Sequence, residues 1–442
     1  MLEGERGTTT TSRDTADARP ARGNPWLRDI LVRKSAAPAQ SLVTIDTLKG
    51  ISILVILYIH VGNVWCAPDF VALMKAQWYF LDFLGPAMFL TLSVVGNMAG
   101  SLGQKPNGKG PAIPRRRVLR VSFLLGYGEI INIMTAWRQG IFHASAWNVI
   151  TTIAVFTLLM PYIVKLPKLA RVVLLIAITV TYYPLMEWAI VSIRPHGISL
   201  ATTTIDMLLD PRTFIYWLLF YSDMMTPVFS WLIVPIAASL IFDKIVWMTK
   251  AGANGAVQAE LKKIAVIGAC LVLASLLTSL HVIPEYNQSF FQALMTPSPY
   301  FTWPIPAGMP PFLVRHVPQY LFYCIGAECL LFSGIGWMQL VKGKRMPFEE
   351  KINNCGKLSI TVFALSYVLS MLQLDLPIGL FYFVMIPVVV LVVVVCWIWS
   401  TRGHRIGSIE WMMDVHVRVI SHFLDLRAEK EVTRARGARA AI

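Results

Sequence analysis

Residues 377–400 read PIGLFYFVMIPVVVLVVVVCWIWS, a run with no Asp, Glu, Lys, Arg or His. A hydrocarbon core about 30 Å thick needs roughly 20 mostly apolar residues to be crossed by a helix, and this stretch supplies them. Working back toward the N-terminus, comparable windows lie at about 49–66, 78–102, 118–136, 147–164, 169–191, 225–248, 264–281, 319–341 and 358–374. Several contain Pro or Gly, which membrane helices tolerate. The expected fold class is all-α, a polytopic transmembrane helix bundle of about ten spans.

Composition agrees. Apolar residues make up 56% of the 442 positions and charged residues only 14%, against about 25% charged in a soluble domain. That excludes disordered and collagen-like chains. The formal charge of +14 would suggest a polyanion partner if position were ignored. With the N-terminus inside, however, 33 of the 39 Lys and Arg fall in inner segments, five (Lys75, Arg138, Arg194, Arg212, Arg315) fall in outer loops, and Lys49 stands at the inner mouth of the first span. This bias orients a polytopic chain and leaves no need for nucleic acid. Both termini are expected to be cytoplasmic, in a bacterial-type plasma (inner) membrane. The six cysteines show no CxxC and no His pairing at ligand spacing, so they read as buried hydrophobes, with no metal site expected.

Three regions divide the chain. Residues 1–40 are expected to be a disordered cytoplasmic tail, 41–402 the transmembrane domain, and 403–442 an amphipathic inner-leaflet helix followed by a basic tail. In the last region Ile409, Met412, Met413, Val419, Ile420 and Phe423 recur at helical spacing over Ser408 to Leu426. Thr213 to Ser222 is a candidate interfacial segment. The Pro-rich outer stretch Val282 to Pro318 is too long for a structureless loop and reads as a cap or re-entrant segment.

Ionisable groups inside spans are functional candidates by default. In the first span Asp46 and Lys49 stand one turn apart, and His60 follows Lys49 by eleven residues, about 16 Å deeper. A neutral imidazole there suits a general base, although a His that only hydrogen-bonds a neighbouring helix is the commoner case. Glu129 lies about 18 Å beyond Arg117, at a depth similar to His60. It could orient that imidazole, with Asn132 in the same polar patch, or serve only as a bonded structural acid. Asp82 and Asp223, near outer helix ends, are candidates for a substrate vestibule. Glu328, mid-span, is either a polar anchor or an acid buried by packing. Arg115, Arg116, Arg117 and Arg120 cluster where the third span begins. They could grip phosphates through bidentate hydrogen bonds, or they could express the positive-inside bias alone.

Five stretches carry a resemblance. Ile45-Asp46-Thr47-Leu48-Lys49-Gly50-Ile51 with His60 beyond is similar to a hydrophobic-Asp-x-hydrophobic-Arg-Gly pattern followed eleven residues later by His or Asn. Gly85-Pro86-Ala87-Met88-Phe89-Leu90 and Arg115 to Arg120 resemble the motifs that open the second and third helices. Gly356-Lys357-Leu358-Ser359-Ile360-Thr361 and Gly407-Ser408-Ile409-Glu410-Trp411 resemble Gly-Arg-x-Ser-Leu-Thr and Gly-Pro-Leu-Glu-Trp signatures. In this order they resemble the multi-pass membrane acyltransferases related to the heparan-α-glucosaminide N-acetyltransferase catalytic domain and the wider integral-membrane acyltransferase superfamily. Lys49 replaces the usual Arg and Ser408 the usual Pro, and Val71 stands near the place of the animal enzyme's outer-face His.

The resemblance implies transfer of an acyl group, expected to be acetyl, from cytoplasmic acyl-CoA to a hydroxyl or amine of a glycan, lipid or small metabolite. Lys49 and the four arginines would hold the CoA phosphates, and His60 would meet the thioester. Membrane lipid, acyl-CoA and an envelope glycan, lipid or small acceptor are the expected partners. The competing reading is a carrier or flippase for a lipid-linked or anionic solute, and a silent membrane scaffold is a third.

Overall fold

The computed structural model describes residues 43–67, 71–101, 115–139, 147–193, 211, 228–251, 254–279, 310–313 and 317–440. The expected tail over 1–40, the segment Thr213 to Ser222, Asp223 and most of Val282 to Pro318 lie outside the described residues. The described residues are helical apart from short turns, with one isolated bridge between Cys66 and Leu376. Among the described residues, five stretches are long and apolar enough to cross a membrane: Val43–Trp65, Gln77–Gly96, Gly255–Thr278, Pro318–Val341 and Ile378–Thr401. The described residues form an all-helical structure, and the length and composition of these helices mark it as a membrane protein.

The helices are α1 Val43–Trp65, α2 Val71–Leu81, α3 Pro86–Ser101, α4 Arg115–Gln139, α5 Val149–Lys165, α6 Lys168–Ile193, α7 Val228–Trp231, α8 Ile233–Ile241, α9 Asp243–Ala251, α10 Asn254–Thr278, α11 Pro318–Gly336, α12 Glu349–Lys357, α13 Ser359–Ser370, α14 Ile378–Thr401 and α15 Ile409–Ala440. A tight turn, Asp82–Leu84, joins α2 to α3, and α11 ends in a widened π turn over Trp337–Val341.

Three of the apolar windows are broken where a continuous span was expected. In the second, Pro86 has no N–H to continue a helix from Leu81, and it sits instead at the first position of α3. The break leaves carbonyls to satisfy: Gly85 N donates to Asp82 O at 2.8 Å, and Ser52 Oγ donates to Leu84 O. The window 225–248 is divided into α7, α8 and α9. The window 358–374 is covered by α13 only as far as Ser370, and α12 precedes it across a bend at Leu358.

Buried apolar residues form two clusters. One gathers α3, α8, α9 and α11; the other gathers α1, α4, α13 and α14 around Ile53, Leu57, Leu124 and Phe363. Glycines let backbones approach at two crossings. A Cβ on Gly268 of α10 would lie 2.7 Å from Gly326 O of α11, and a Cβ on Gly356 of α12 would lie 2.9 Å from Gly50 N of α1. Small residues are the usual means of close helix contact in a membrane, where lipid gives helices no hydrophobic drive to associate.

The C-terminal helix, expected along the inner leaflet, packs against α4 as α15. Arg120 pairs with Asp414 and Arg115 with Asp425, so the two helices run antiparallel, and the His416 ring lies 5.5 Å from Phe123, one turn beyond Arg120 on α4.

Candidate active site

The N-terminal end of α1 is fixed by a polar cluster. Thr44 Oγ1 donates to Gln339 Oε1 at 2.8 Å, Thr47 Oγ1 donates to Asn353 Oδ1 at 2.8 Å, and Gln339 Nε2 donates to Thr47 Oγ1 at 3.0 Å. These bonds tie α1 to the π turn and to α12. Asp46, expected to support Lys49, lies within electrostatic reach of it, and the Gly50 and Gly356 backbones meet beside the pair.

The C-terminal end of α1 is fixed independently. Trp65 Nε1 donates to Leu369 O at 2.9 Å, Leu376 N to Trp65 O at 2.6 Å, and Ala67 N to Leu376 O at 2.8 Å. Tyr58, Gln77 and Tyr382 close a ring of hydrogen bonds joining α1, α2 and α14. Tyr58 OH donates to Gln77 Oε1, Gln77 Nε2 donates to Tyr382 OH at 2.9 Å, and the two hydroxyls stand 3.4 Å apart.

Between these anchors Lys49, Ile56, His60 and Asn63 fall on one face of α1, within an arc of about 60° at 100° per residue. The half-buried His60 ring sits against α13, with Tyr367 edge-on at 5.2 Å and Phe363 at 5.8 Å between ring centres. His60 Nδ1 lies 3.1 Å from Ser366 Oγ, and Ser366 Oγ donates its only proton to Phe363 O at 2.7 Å. A carbonyl cannot donate, so that proton is committed and Nδ1 must be the N–H partner of the Ser366 oxygen. The neutral ring therefore carries its lone pair on Nε2. Three residues on, Asn63 Nδ2 is buried with no hydrogen-bond partner.

Two of the expected groupings need correction. Glu129 does not join His60. Depth along a helix follows from residue count, but direction does not, and Glu129 lies on the exposed stripe of α4 with Val118, Ser122, Gly126 and Ile133. Asn132, nearly one turn further on, is buried and accepts from Asn148 Nδ2 at 2.8 Å. Asp82 does not line an open vestibule. It is 3% exposed and accepts a hydrogen bond from Tyr320 of α11, which makes it a link inside the bundle. Asp223 lies outside the described residues.

The arginine cluster is partly engaged. Arg115 bonds Asp425 at 2.8 Å and Arg120 approaches Asp414 at 3.4 Å, while Arg116 and Arg117 form no ion pair among the described residues. Glu328 is 1% exposed, and its neighbour is Thr91 of α3, whose hydroxyl is buried as well.

The two C-terminal motifs meet. Glu410 accepts from Ile360 N at 2.6 Å and from Thr361 Oγ1 at 2.5 Å, capping α13; Thr361 Oγ1 in turn accepts from Ile409 N at 2.9 Å at the start of α15. Gly407 takes φ +82° so that the chain can turn into this arrangement, and Ser408 Oγ accepts from Trp411 N at 3.1 Å as the N-cap. Burial pushes the Glu410 carboxyl above the usual carboxylate range, and the Thr361 and backbone donors pull it partly back. Here the motif residues do structural work.

Sequence reasoning missed Ser366 and Arg171. Ser366 carries no signal apart from its place on α13. Arg171 looks like one more inner-loop cation, yet it is buried, with Nη1 donating to Ser239 O at 2.8 Å and lying 3.1 Å from Ser239 Oγ. No family model matches this chain, and neither a curated protein nor a solved structure matches it, so its likeness to membrane acyltransferases rests on the quoted motifs.

Proposed function

We propose that this chain is an integral-membrane acyltransferase that moves an acetyl or other short acyl group from cytoplasmic acyl-CoA to a hydroxyl or amine on a glycan, lipid or small metabolite. The observation that carries the proposal is His60. Its ring is held by Ser366 in the tautomer that leaves Nε2 basic, and it shares one face of α1 with Lys49. A base of this kind takes the acceptor's proton as the acceptor attacks the thioester carbonyl and returns it to the departing thiol.

The reading carries the expected architecture with it: about ten spans, cytoplasmic termini, and an inner membrane of bacterial type. Acyl-CoA is a co-substrate. Lys49 lies about 16 Å along the helix from His60, comparable with the reach of the pantetheine arm. Arg116 and Arg117 are the members of the cluster that form no ion pair among the described residues. Arg115 and Arg120 contribute to phosphate binding only by sharing charge with Asp425 and Asp414. His60→Ala in purified, lipid-reconstituted protein is expected to lower transfer from labelled acetyl-CoA by about a hundredfold or more, with the protein still monodisperse. Unchanged transfer would overturn the assignment.

A second reading, a carrier or flippase for an anionic or lipid-linked solute, is favoured by Glu328, a carboxyl buried within α11 beside Thr91 of α3. It predicts uptake that survives His60→Ala and is lost in Glu328→Gln, with no acylated product.

A further inference from the structure

We infer that Asn63 is the oxyanion donor of this site: its side-chain N–H holds the thioester carbonyl oxygen while His60 takes the acceptor's proton. The inference rests on the acyltransferase reading and adds the second group that such a transfer needs.

Asn63 stands three residues beyond His60 on α1, about 4.5 Å further along the helix and turned by about 60°. Residues at that spacing are neighbours on one helix face, with Cβ atoms about 5–6 Å apart. The residue is half-buried, yet its Nδ2 is enclosed by protein and has no hydrogen-bond partner among the described residues. An amide N–H removed from water and left unbonded lowers stability, which is why nearly all buried donors are paired. Beside a base, a donor left in this condition is ready for a ligand oxygen.

Packing fixes the direction of the pair. On the far side of α1 a Cβ on Gly62 would collide with Met74 Cε and lie 3.1 Å from Phe381 Cζ. Trp65, about half a turn round from Asn63, is 3% exposed and donates Nε1 to Leu369 O at 2.9 Å. The helix is held against rotation by these contacts, and the His60 ring is held by Ser366. A donor fixed in advance stabilises developing charge without the cost of reorganisation at the moment of reaction.

The lone pair of the acceptor oxygen or nitrogen forms a bond to the thioester carbonyl carbon, the C=O π pair moves onto the carbonyl oxygen, and the acceptor's proton passes to His60 Nε2. Asn63 Nδ2 donates to that oxygen as its charge develops. When the pair returns, the C–S bond breaks and the departing sulfur takes the proton from Nε2, which restores the neutral ring. Two hydrogen bonds of about 3 Å, one to the oxyanion and one to the attacking atom, bridge the gap between the two side chains.

The test uses the full chain in phosphatidylcholine nanodiscs, which leave both membrane faces open, with radiolabelled acetyl-CoA and glucosamine, an acceptor offering an amine and hydroxyls. Acetylated glucosamine is counted, and release of the CoA thiol reads turnover to any acceptor, water included. Asn63→Ala and Asn63→Leu are expected to lower kcat about a hundredfold and to change the KM for acetyl-CoA by about twofold or less, because the donor meets its charge only in the transition state. Since Nδ2 forfeits no hydrogen bond, the melting temperature of Asn63→Leu should equal or exceed that of wild type. A loss of rate that tracks a raised KM or a lowered melting temperature overturns the inference. If wild type transfers acetyl and His60→Ala abolishes transfer while Asn63→Leu retains it, the role of Asn63 alone falls. If wild type neither releases thiol nor forms acetylated product, the acyltransferase reading falls and takes this role with it.

Discussion

His60 and Ser366 show how much one hydroxyl proton can decide. Because Ser366 spends its proton on Phe363 O, the imidazole has a single neutral form compatible with its surroundings. Ser366→Ala removes the acceptor for Nδ1–H and is expected to slow transfer about tenfold while shifting the pH–rate profile, whereas Ser366→Thr keeps the oxygen and the profile. A merely structural role would lower the rate without moving the profile. The depth of His60 was legible in the sequence, since eleven residues of helix have a fixed length. Its partner was not, because Ser366 reaches it only through the rotation of α13 about α1. The same gap misplaced Glu129: residue count put it level with His60, and azimuth put it on the outside of α4.

At the scale of elements, α13 and α15 cap one another. Thr361 is donor to Glu410 and acceptor from Ile409, so Thr361→Val loses both roles at once and is expected to cost about 1–3 kcal/mol in thermal or denaturant unfolding. Glu410 adds a pH signature. Burial raises its folded-state pKa, so the folded chain holds the proton to higher pH than the unfolded chain does. Its contribution to stability is complete below the unfolded value, about 4.3, and is lost as pH rises through the raised one. The stability of wild type relative to Glu410→Gln should accordingly fall as pH rises through that window, read as the difference in melting temperature between the two proteins. The ion pairs on α4 are exposed, and pairs of that kind contribute about 1 kcal/mol or less. Sequence motifs flagged both capping segments without revealing that they meet, since Thr361 and Glu410 are distant in the chain and hydropathy carries no pairing information.

For the whole molecule, hydrophobic windows predicted helices, and helices cover most of the described residues of those windows. Breaks were less visible, because a window such as 225–248, divided into α7, α8 and α9, is as apolar along its length as a straight span. The basic residues supply the orientation argument, and cysteine scanning checks it. An impermeant maleimide added to right-side-out vesicles is expected to label Lys75→Cys and to leave Lys262→Cys unlabelled until the membrane is opened. The reverse pattern would invert the topology and with it the side from which acyl-CoA arrives.

The meeting of Gly50 and Gly356 has a mechanical side. Two backbones in direct contact have no flexible side chain between them to absorb sliding, so α1 and the α12–α13 arm can change their relation there chiefly by pivoting. His60 stands ten residues, about 15 Å, from that fulcrum, and a tilt of roughly 10° would swing it 2–3 Å. That is enough to make or break its grip on Ser366, so a small rocking motion at one end of the helix is amplified at the imidazole.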